Sequence, residues 1–480
     1  MQATRTSFLI VIIMLSLTIG SATLTRGHEW GDDWASYTLQ AQSILSGKTH
    51  EFIERNTLTI FESSFQIGPV AYPWGYPLIL APALLLKGIH PLTLKLPGLF
   101  LFAGFLTCFY LLIKDRLTRT ASLLLVSLFA FNPLLIKFLD QILSDIPFLF
   151  FIFLGLVLIT KLKPTTWNSI GLGLVIFFAF FIRTTGIILL ASFLAYQALY
   201  FYLQKETRKA ILINSSLVLL SFGMLWIITS IFFPNGQGSY FRQLMGLTAD
   251  IFFRRNIPGY FNLFWQFFGA TLLWKYIYYG LIIFFLIGTW TRRNADQLLI
   301  IFFALYFTAI LFWPEWQGIR FIFPLLPLFL YFVFQGISTV INKIPEKHQP
   351  LSRGIAYAFW IVIIGIFLFN SGTRAYSNLK DNRKINGPFD SSSTDMYDFI
   401  KAKTPADSVI VFYKPRAMHL FTDRDTLMST ECDRLKLGNY VVLSYKAENS
   451  QIPPDEIGKC GFDLLKVFEN QKFIVYELPK

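Results

Sequence analysis

This chain has little of what marks a metal site or a soluble enzyme. Five histidines and three cysteines are scattered through 480 residues. Neither type recurs at CxxC or HExxH spacing, so a zinc centre is not expected. P-loop and GxSxG patterns are missing too, which removes the usual phosphate-cradling and nucleophile-elbow chemistries. Charge is scarce at 15% of residues, against roughly 25% in a soluble domain. The net charge of +13 does not read as a nucleic-acid surface. Past Gly372 there are 16 basic and 15 acidic residues, so the excess lies among the apolar segments. No basic patch is interleaved with aromatics, and no nucleic-acid partner is expected. The lack of an internal repeat weighs against a transporter built from inverted halves.

What is present is hydrophobicity. Apolar residues make up 54% of the chain, 18% are aromatic and 52 are Phe. Runs of about 20 apolar residues recur, the length that crosses a bilayer. Residues 8–25, behind Arg5, read as an uncleaved first membrane helix rather than a signal peptide, because many spans follow. Further candidates are 94–113, 121–139, 146–162, 167–182, 186–203, 211–233, 273–290, 297–313, 321–341 and 354–370. The expected fold class is therefore an all-α polytopic membrane protein of about 11 spans. Residues 76–86 are apolar but short and hold two prolines, which suits an interfacial or re-entrant helix.

Alternate connections are rich in Lys and Arg and should face the cytoplasm by the positive-inside rule. The opposite connections then face outward: the first loop, 26–91, the short loops 140–145, 183–185 and 314–320, and a longer loop from 234 to 272. An odd span count puts the tail outward as well, and the surrounding membrane lipids are an implied partner. The expected division is a membrane domain, 1–371, and a small extracytoplasmic α/β domain, 372–480. In the tail, 394–403 has helical periodicity, while 408–413, 440–444 and 473–476 read as strands rich in Val, Ile and Tyr. Cys432 and Cys460 both fall in it. A disulfide between them is open, because spacing alone does not establish one.

The first outward loop holds the stretch of most interest, GDDWASYTLQAQSILSG at 31–47. Asp32 and Asp33 open an amphipathic helix, where acids can serve as a cap and a dipole partner. At a membrane surface the same pair can be a general base or hold a cation. Asp145 opens a span beside the loop that also holds Asp140; it is either a cap or a functional acid. Arg183 and Arg320 sit in outward connections at headgroup depth, suited either to snorkelling or to bidentate phosphate binding. Tyr240, Arg242, Arg254, Arg255 and Tyr260 populate the long loop. Carboxylates and guanidiniums on one face are the combination that sugar transfer from a lipid phosphate needs: one takes the acceptor's proton, the other stabilises the leaving phosphate.

Several motifs in order resemble the polyprenol-phosphate-sugar-dependent glycosyltransferases of the GT-C superfamily, which include protein O-mannosyltransferases and the aminoarabinose transferase of lipid A. These are the Asp33-x-x-x-Tyr37 helix ending in Leu45 and Gly47, the Tyr-Pro-x-Gly-Tyr-Pro-Leu run at 72–78, and Asp145 at the head of a span. The Arg-aromatic-x-x-Pro stretch at 320–324 and the tail segment 396–425, with FYKPRAMHLFTDRD, complete the pattern. The resemblance implies a transferase using a polyprenyl-phosphate sugar, with a lipid, glycan or protein acceptor. It implies Asp33 as catalytic base, Asp32 and Asp145 as supporting acids, and Tyr37, Tyr76, Arg183 and Arg320 as substrate-binding groups. A divalent cation is left open, since only some relatives use one. Lys414 and Arg416 match the tail pattern but read as a solvated turn. The competing readings are a lipid or polysaccharide transporter and a non-catalytic membrane scaffold.

Overall fold

The computed structural model describes residues 2–65, 67–234, 245–446 and 449–478. Tyr240 and Arg242 lie outside the described residues. The first part of the chain forms helices α1 (Gln2–Thr23), α2 (Asp33–Ser46), α3 (Thr49–Phe61), α4 (Gly75–Lys87), α5 (Pro91–Ile113) and α6 (Arg119–Ala130). Then come α7 (Pro133–Leu139), α8 (Asp145–Lys161), α9 (Thr166–Ile182), α10 (Ile187–Leu203) and α11 (Arg208–Phe232). The later apolar helices are Leu272–Arg292, Gln297–Leu311, Leu326–Ile341 and Gln349–Asp381.

Among the described residues, five helical stretches are long and apolar enough to cross a membrane, and five shorter apolar helices have 10–17 residues. This is a membrane protein, although length alone singles out fewer spans than the eleven expected. One expected span, 121–139, is broken: α6 and α7 meet at 51°. Asn132 causes the break. Its side chain caps α7 by accepting from the N–H groups of Leu134 and Leu135, and Pro133 follows as the first helical residue. Elsewhere helices approach closely through small residues. A side chain at Gly288 would strike the Phe332 carbonyl, and one at Gly336 would strike that of Phe284, so Leu272–Arg292 and Leu326–Ile341 pack almost backbone to backbone.

One end of the bundle is covered by α2, α3 and α4. Helix α2 ends at Gly47, whose left-handed φ of 70° lets its N–H bond back to the Ile44 and Ser43 carbonyls. It is buried on more than its apolar stripe. Thr38 and Ser43 satisfy their hydroxyls on the carbonyls of Trp34 and Gln40. Gln40 instead clamps the Tyr72 backbone, with Nε2 2.9 Å from the carbonyl oxygen and Oε1 3.1 Å from the nitrogen. Gly75 opens α4 where a Cβ would lie 2.6 Å from the Phe181 backbone. Only glycine allows that approach, which brings Tyr72 and Pro73 beside the end of α9.

The tail carries a five-stranded mixed sheet in the order β2-β1-β3-β5-β4, where β1 is Val409–Phe412, β2 Asp425–Leu427, β3 Tyr440–Ser444, β4 Leu465–Glu469 and β5 Phe473–Glu477. Strands β1, β3 and β5 match the expected ones. The short edge strands β2 and β4 went unforeseen, and the expected helix is present as Ser391–Lys403. Cys432 and Cys460 form a disulfide with Cα atoms 5.3 Å apart, which closes the question that spacing left open. The final apolar helix continues to Asp381, past residue 371. The sheet then packs onto the first loop. Arg55 of α3 reaches Asp423 at 2.6 Å and Asp425 at 2.8 Å. Trp30 sits among Phe412, Tyr413 and Phe473.

Candidate active site

Four of the residues singled out from sequence meet in one place. Asp145, the first residue of α8, is buried. Arg183, between α9 and the turn Thr184–Gly186, brings Nη1 to 2.6 Å from Asp145 Oδ1. Arg320, in the turn Gly318–Ile322, donates from Nε to both Asp145 oxygens at 3.1 Å, and its Nη2 lies 3.0 Å from Oδ2. The same guanidinium reaches Asp33 Oδ2 through Nη1 at 3.3 Å. Arg320 thus ties the first loop to the second. The cap reading of Asp145 does not hold, because Ser144 occupies the N-cap position and the Asp145 carboxylate is spent on two arginines.

The other oxygen of Asp33 accepts from the Tyr72 hydroxyl at 2.5 Å. The Tyr72 ring packs on Tyr37 with centroids 4.7 Å apart. The Tyr37 hydroxyl meets Ser144 Oγ at 3.1 Å, and burial pushes its phenol up to about 12. Tyr76 lies behind this layer, edge-on to Tyr37 at 4.9 Å and buried. It packs behind Tyr37 and is not among the residues that line the cavity described next.

A cavity of about 270 Å³ opens onto these groups. Asp33, Tyr37, Tyr72, Arg183 and Arg320 line it, together with Gly68, Thr184, Thr185, Trp313, Glu315 and Gln317. A second cavity of about 250 Å³ shares Tyr72, Pro73 and Thr184 with the first. Its remaining wall is largely aromatic: Trp74, Phe180, Phe181, Trp226 and Phe233. A polar chamber and a largely aromatic groove therefore lie side by side across these three residues.

Asp32 stands apart from its neighbour. It occupies the N-cap position of α2, but its side chain makes no capping bond. Burial is the main reason its carboxyl is pushed up to about 6, against the opposing pull of Arg416 and Lys414. Arg416 is fully buried, which overturns its reading as part of a solvated turn. Asp140 is also taken up structurally: Lys95 Nζ lies 2.7 Å from Oδ1 and Arg383 Nη2 2.6 Å from Oδ2. In the long loop, Arg254 pairs with Asp250 at the surface, Arg255 donates to the Pro314 carbonyl, and Tyr260 is buried against Trp316. None of the three lines the cavity. Tyr72 and Gln40 escaped sequence reasoning, although Tyr72 stood in a recognised turn-rich run.

No family model and no curated protein sequence matches the chain. Solved structures do. ArnT from Cupriavidus metallidurans, solved in the apo state and bound to undecaprenyl phosphate, aligns at a TM-score of 0.62 over 98% of both chains, with 11% identity. AglB from Archaeoglobus fulgidus, an oligosaccharyltransferase solved with an inhibitory peptide and a dolichol-phosphate, aligns at 0.58. That match covers 93% of this chain and 70% of AglB at 12% identity. The chain shares the fold of these two proteins. At such identities the likeness concerns the fold, and the resemblance drawn from the motifs is met at that level. It covers the bundle and the tail alike.

Some relatives in the resemblance use a divalent cation, so the donor set matters. Among the described residues no three His, Cys, Asp or Glu side chains gather as a ligand group. Asp33 and Asp145 share one guanidinium between them. Two carboxylates bridged by arginine do not fit a resident divalent ion, which wants several free oxygens.

Proposed function

We propose that this protein is an integral membrane glycosyltransferase. It moves a sugar from a polyprenyl-phosphate donor to a hydroxyl of a lipid, glycan or protein acceptor, on the extracytoplasmic face of the inner membrane and with inversion. The observation that carries the reading is the shared wall of the two cavities. Asp33, Arg183 and Arg320 face a polar chamber, and an aromatic groove adjoins it at Tyr72 and Thr184. A lipid phosphate has the same two-part chemistry, an anionic head on an apolar chain.

In this reading the donor phosphate competes with Asp145 for the forks of Arg183 and Arg320, where bidentate contacts favour a tetrahedral oxyanion. The Arg320 contact to Asp33 is its longest, at 3.3 Å, and is the first to give way. Asp33 is then held by Tyr72 and takes the acceptor's proton. The acceptor oxygen bonds to the anomeric carbon on the face opposite the phosphate. The carbon–oxygen bond to phosphate breaks, and polyprenyl phosphate leaves with the electron pair. The arginines stabilise its growing charge.

The test is transfer by purified protein from a panel of synthetic polyprenyl-phosphate sugars, with Asp33→Asn beside wild type. Release of polyprenyl phosphate by wild type alone is the expected result and names the sugar. Activity retained by Asp33→Asn would remove Asp33 as the base. No release from any donor, with lipid still bound, would turn the reading towards transport.

A further inference from the structure

Outside the cavity, two charged side chains, Asp32 and Arg416, are buried with few well-formed hydrogen bonds. Asp32 is approached by the Ala417 backbone N–H without a well-formed hydrogen bond, and Arg416 interacts with the Tyr72 hydroxyl. The two face each other with Arg416 Nε 4.0 Å from Asp32 Oδ2. Arg416 comes from the tail helix Pro415–Thr422 and reaches beneath the first loop. Its Nη2 donates to the Pro69 carbonyl, and its guanidinium lies 5.4 Å from the Tyr72 ring centroid. Gly68, with φ at +146°, marks the junction. A Cβ there would sit 3.1 Å from both Arg416 Nη1 and the Tyr72 hydroxyl. The arginine and the hydroxyl that holds Asp33 therefore lie side by side under the loop.

A buried guanidinium whose well-formed hydrogen bonding is limited to one carbonyl, with the Tyr72 hydroxyl beside it, is a poor way to hold a fold together. Desolvation costs it several kcal/mol, and an apolar residue of similar volume would do better. The arginine must serve some purpose other than cohesion. It packs on Tyr72 from one side while Gln40 clamps the Tyr72 backbone from another. Asp32 supplies a compensating negative charge, so that Arg416 is not drawn onto Asp33 itself. We infer that Arg416 is a positioning residue through which the tail domain fixes Tyr72 and thereby aims Asp33, with Asp32 as its counter-charge rather than a second acid in the reaction. This rests on the reading of Asp33 as base, and it makes the tail an integral part of the active site.

The test compares full-length Arg416→Gln, Arg416→Lys, Asp32→Asn and the double variant Asp32→Asn/Arg416→Gln, by transfer kinetics and by amide hydrogen exchange of residues 67–73 without substrate. Misaiming a base by a fraction of an ångström should lower kcat of Arg416→Gln about 100-fold and leave donor KM within about twofold. Arg416→Lys should recover about tenfold by keeping the cation, and the double variant should be no worse than Arg416→Gln alone. The double variant carries no unpaired buried charge, so it serves if Arg416→Gln fails to fold. Faster exchange at 67–73 should accompany the loss. Unchanged exchange, or full kcat in a folded Arg416→Gln or double variant, would overturn the inference. So would an Asp32→Asn variant as inactive as Asp33→Asn. If wild type transfers no sugar while the loop still loosens in Arg416→Gln, the transferase reading fails and the positioning role stands.

Discussion

The Tyr72 hydroxyl donates to Asp33 Oδ1 across 2.5 Å. That bond fixes which way the carboxylate points, while the second oxygen stays within reach of Arg320. Removing only the hydroxyl should leave the fold intact, because Gln40 and the Tyr37 ring continue to hold residue 72 in place. Tyr72→Phe should therefore lower kcat by roughly 10–100-fold, the worth of one hydrogen bond to a charged group, with little change in donor KM. Steady-state transfer assays on the two proteins check this. A kcat equal to wild type would show that Asp33 does not need the tyrosine.

Arg320 spans Asp33 and Asp145 with one planar fork, and lysine cannot copy that geometry. Arg320→Lys keeps the charge but loses the second contact. It should cost about 10²–10³ in kcat/KM, as expected of a lost oxyanion donor. The loss should shrink for donors with a better leaving group, since less charge then needs stabilising. Equal losses across a leaving-group series would assign Arg320 to structure alone.

The parts of the site that were legible in the sequence are those fixed by local rules. Asp33 and Tyr37 lie four residues apart, so a helix must present them on one face. Asp145, Arg183 and Arg320 stood out because ionisable groups at membrane depth are costly and rarely idle. Tyr76 and Tyr72 were harder to tell apart. Helix α4 starts at Gly75, so Tyr76 is turned into the core beside Tyr37, whereas Tyr72 stays in the preceding loop and can reach Asp33. Arg416 was illegible for another reason. A Lys-Pro-Arg turn is ordinarily solvated, and only the packing of the tail on the first loop buries it. The break at Asn132 carried an Asn-Pro signal, yet the apolar run on either side concealed it.

Asp32 gives a pH prediction of definite sign. Folded, its carboxyl holds a proton up to about 6, whereas the unfolded chain releases it near 3.8. Between these values the folded state binds more protons, so stability falls as pH rises from about 4 to 6. Above that window the penalty is complete, at about 3 kcal/mol. Asp32→Asn mimics the protonated form. The variant also leaves Arg416 without its counter-charge, so its absolute stability is a separate matter; what it should lose is the fall in apparent melting temperature that wild type shows in detergent between pH 4 and 6. A variant whose melting temperature falls over that window as steeply as wild type's would contradict this.

Asp140 and Asp145 offer a contrast between an acid held in structural contacts and one at the proposed site, only a few residues apart. Asp140 is enclosed by Lys95, Arg383 and the Thr25 N–H and hydroxyl, all within 3.1 Å, and it lines neither cavity. Its contacts fasten the chain after α1 to α5 and to the segment leading into the tail. Asp140→Ala would leave the buried Lys95 and the partly buried Arg383 unmatched and should cost roughly 3–5 kcal/mol. The folded fraction that survives should nonetheless turn over donor at close to the wild-type rate. Replacing the pair together, Lys95→Met with Asp140→Leu, should return part of the lost stability, because apolar groups of similar volume need no partners. Asp145→Asn, which keeps an accepting oxygen for the two arginines, should lose turnover per folded molecule as they drift from their shared anchor, beyond whatever stability the lost charge costs. Thermal scans set beside rates per folded molecule separate the two behaviours, and an Asp140→Ala enzyme that folds normally but is inactive would place that acid in the chemistry instead.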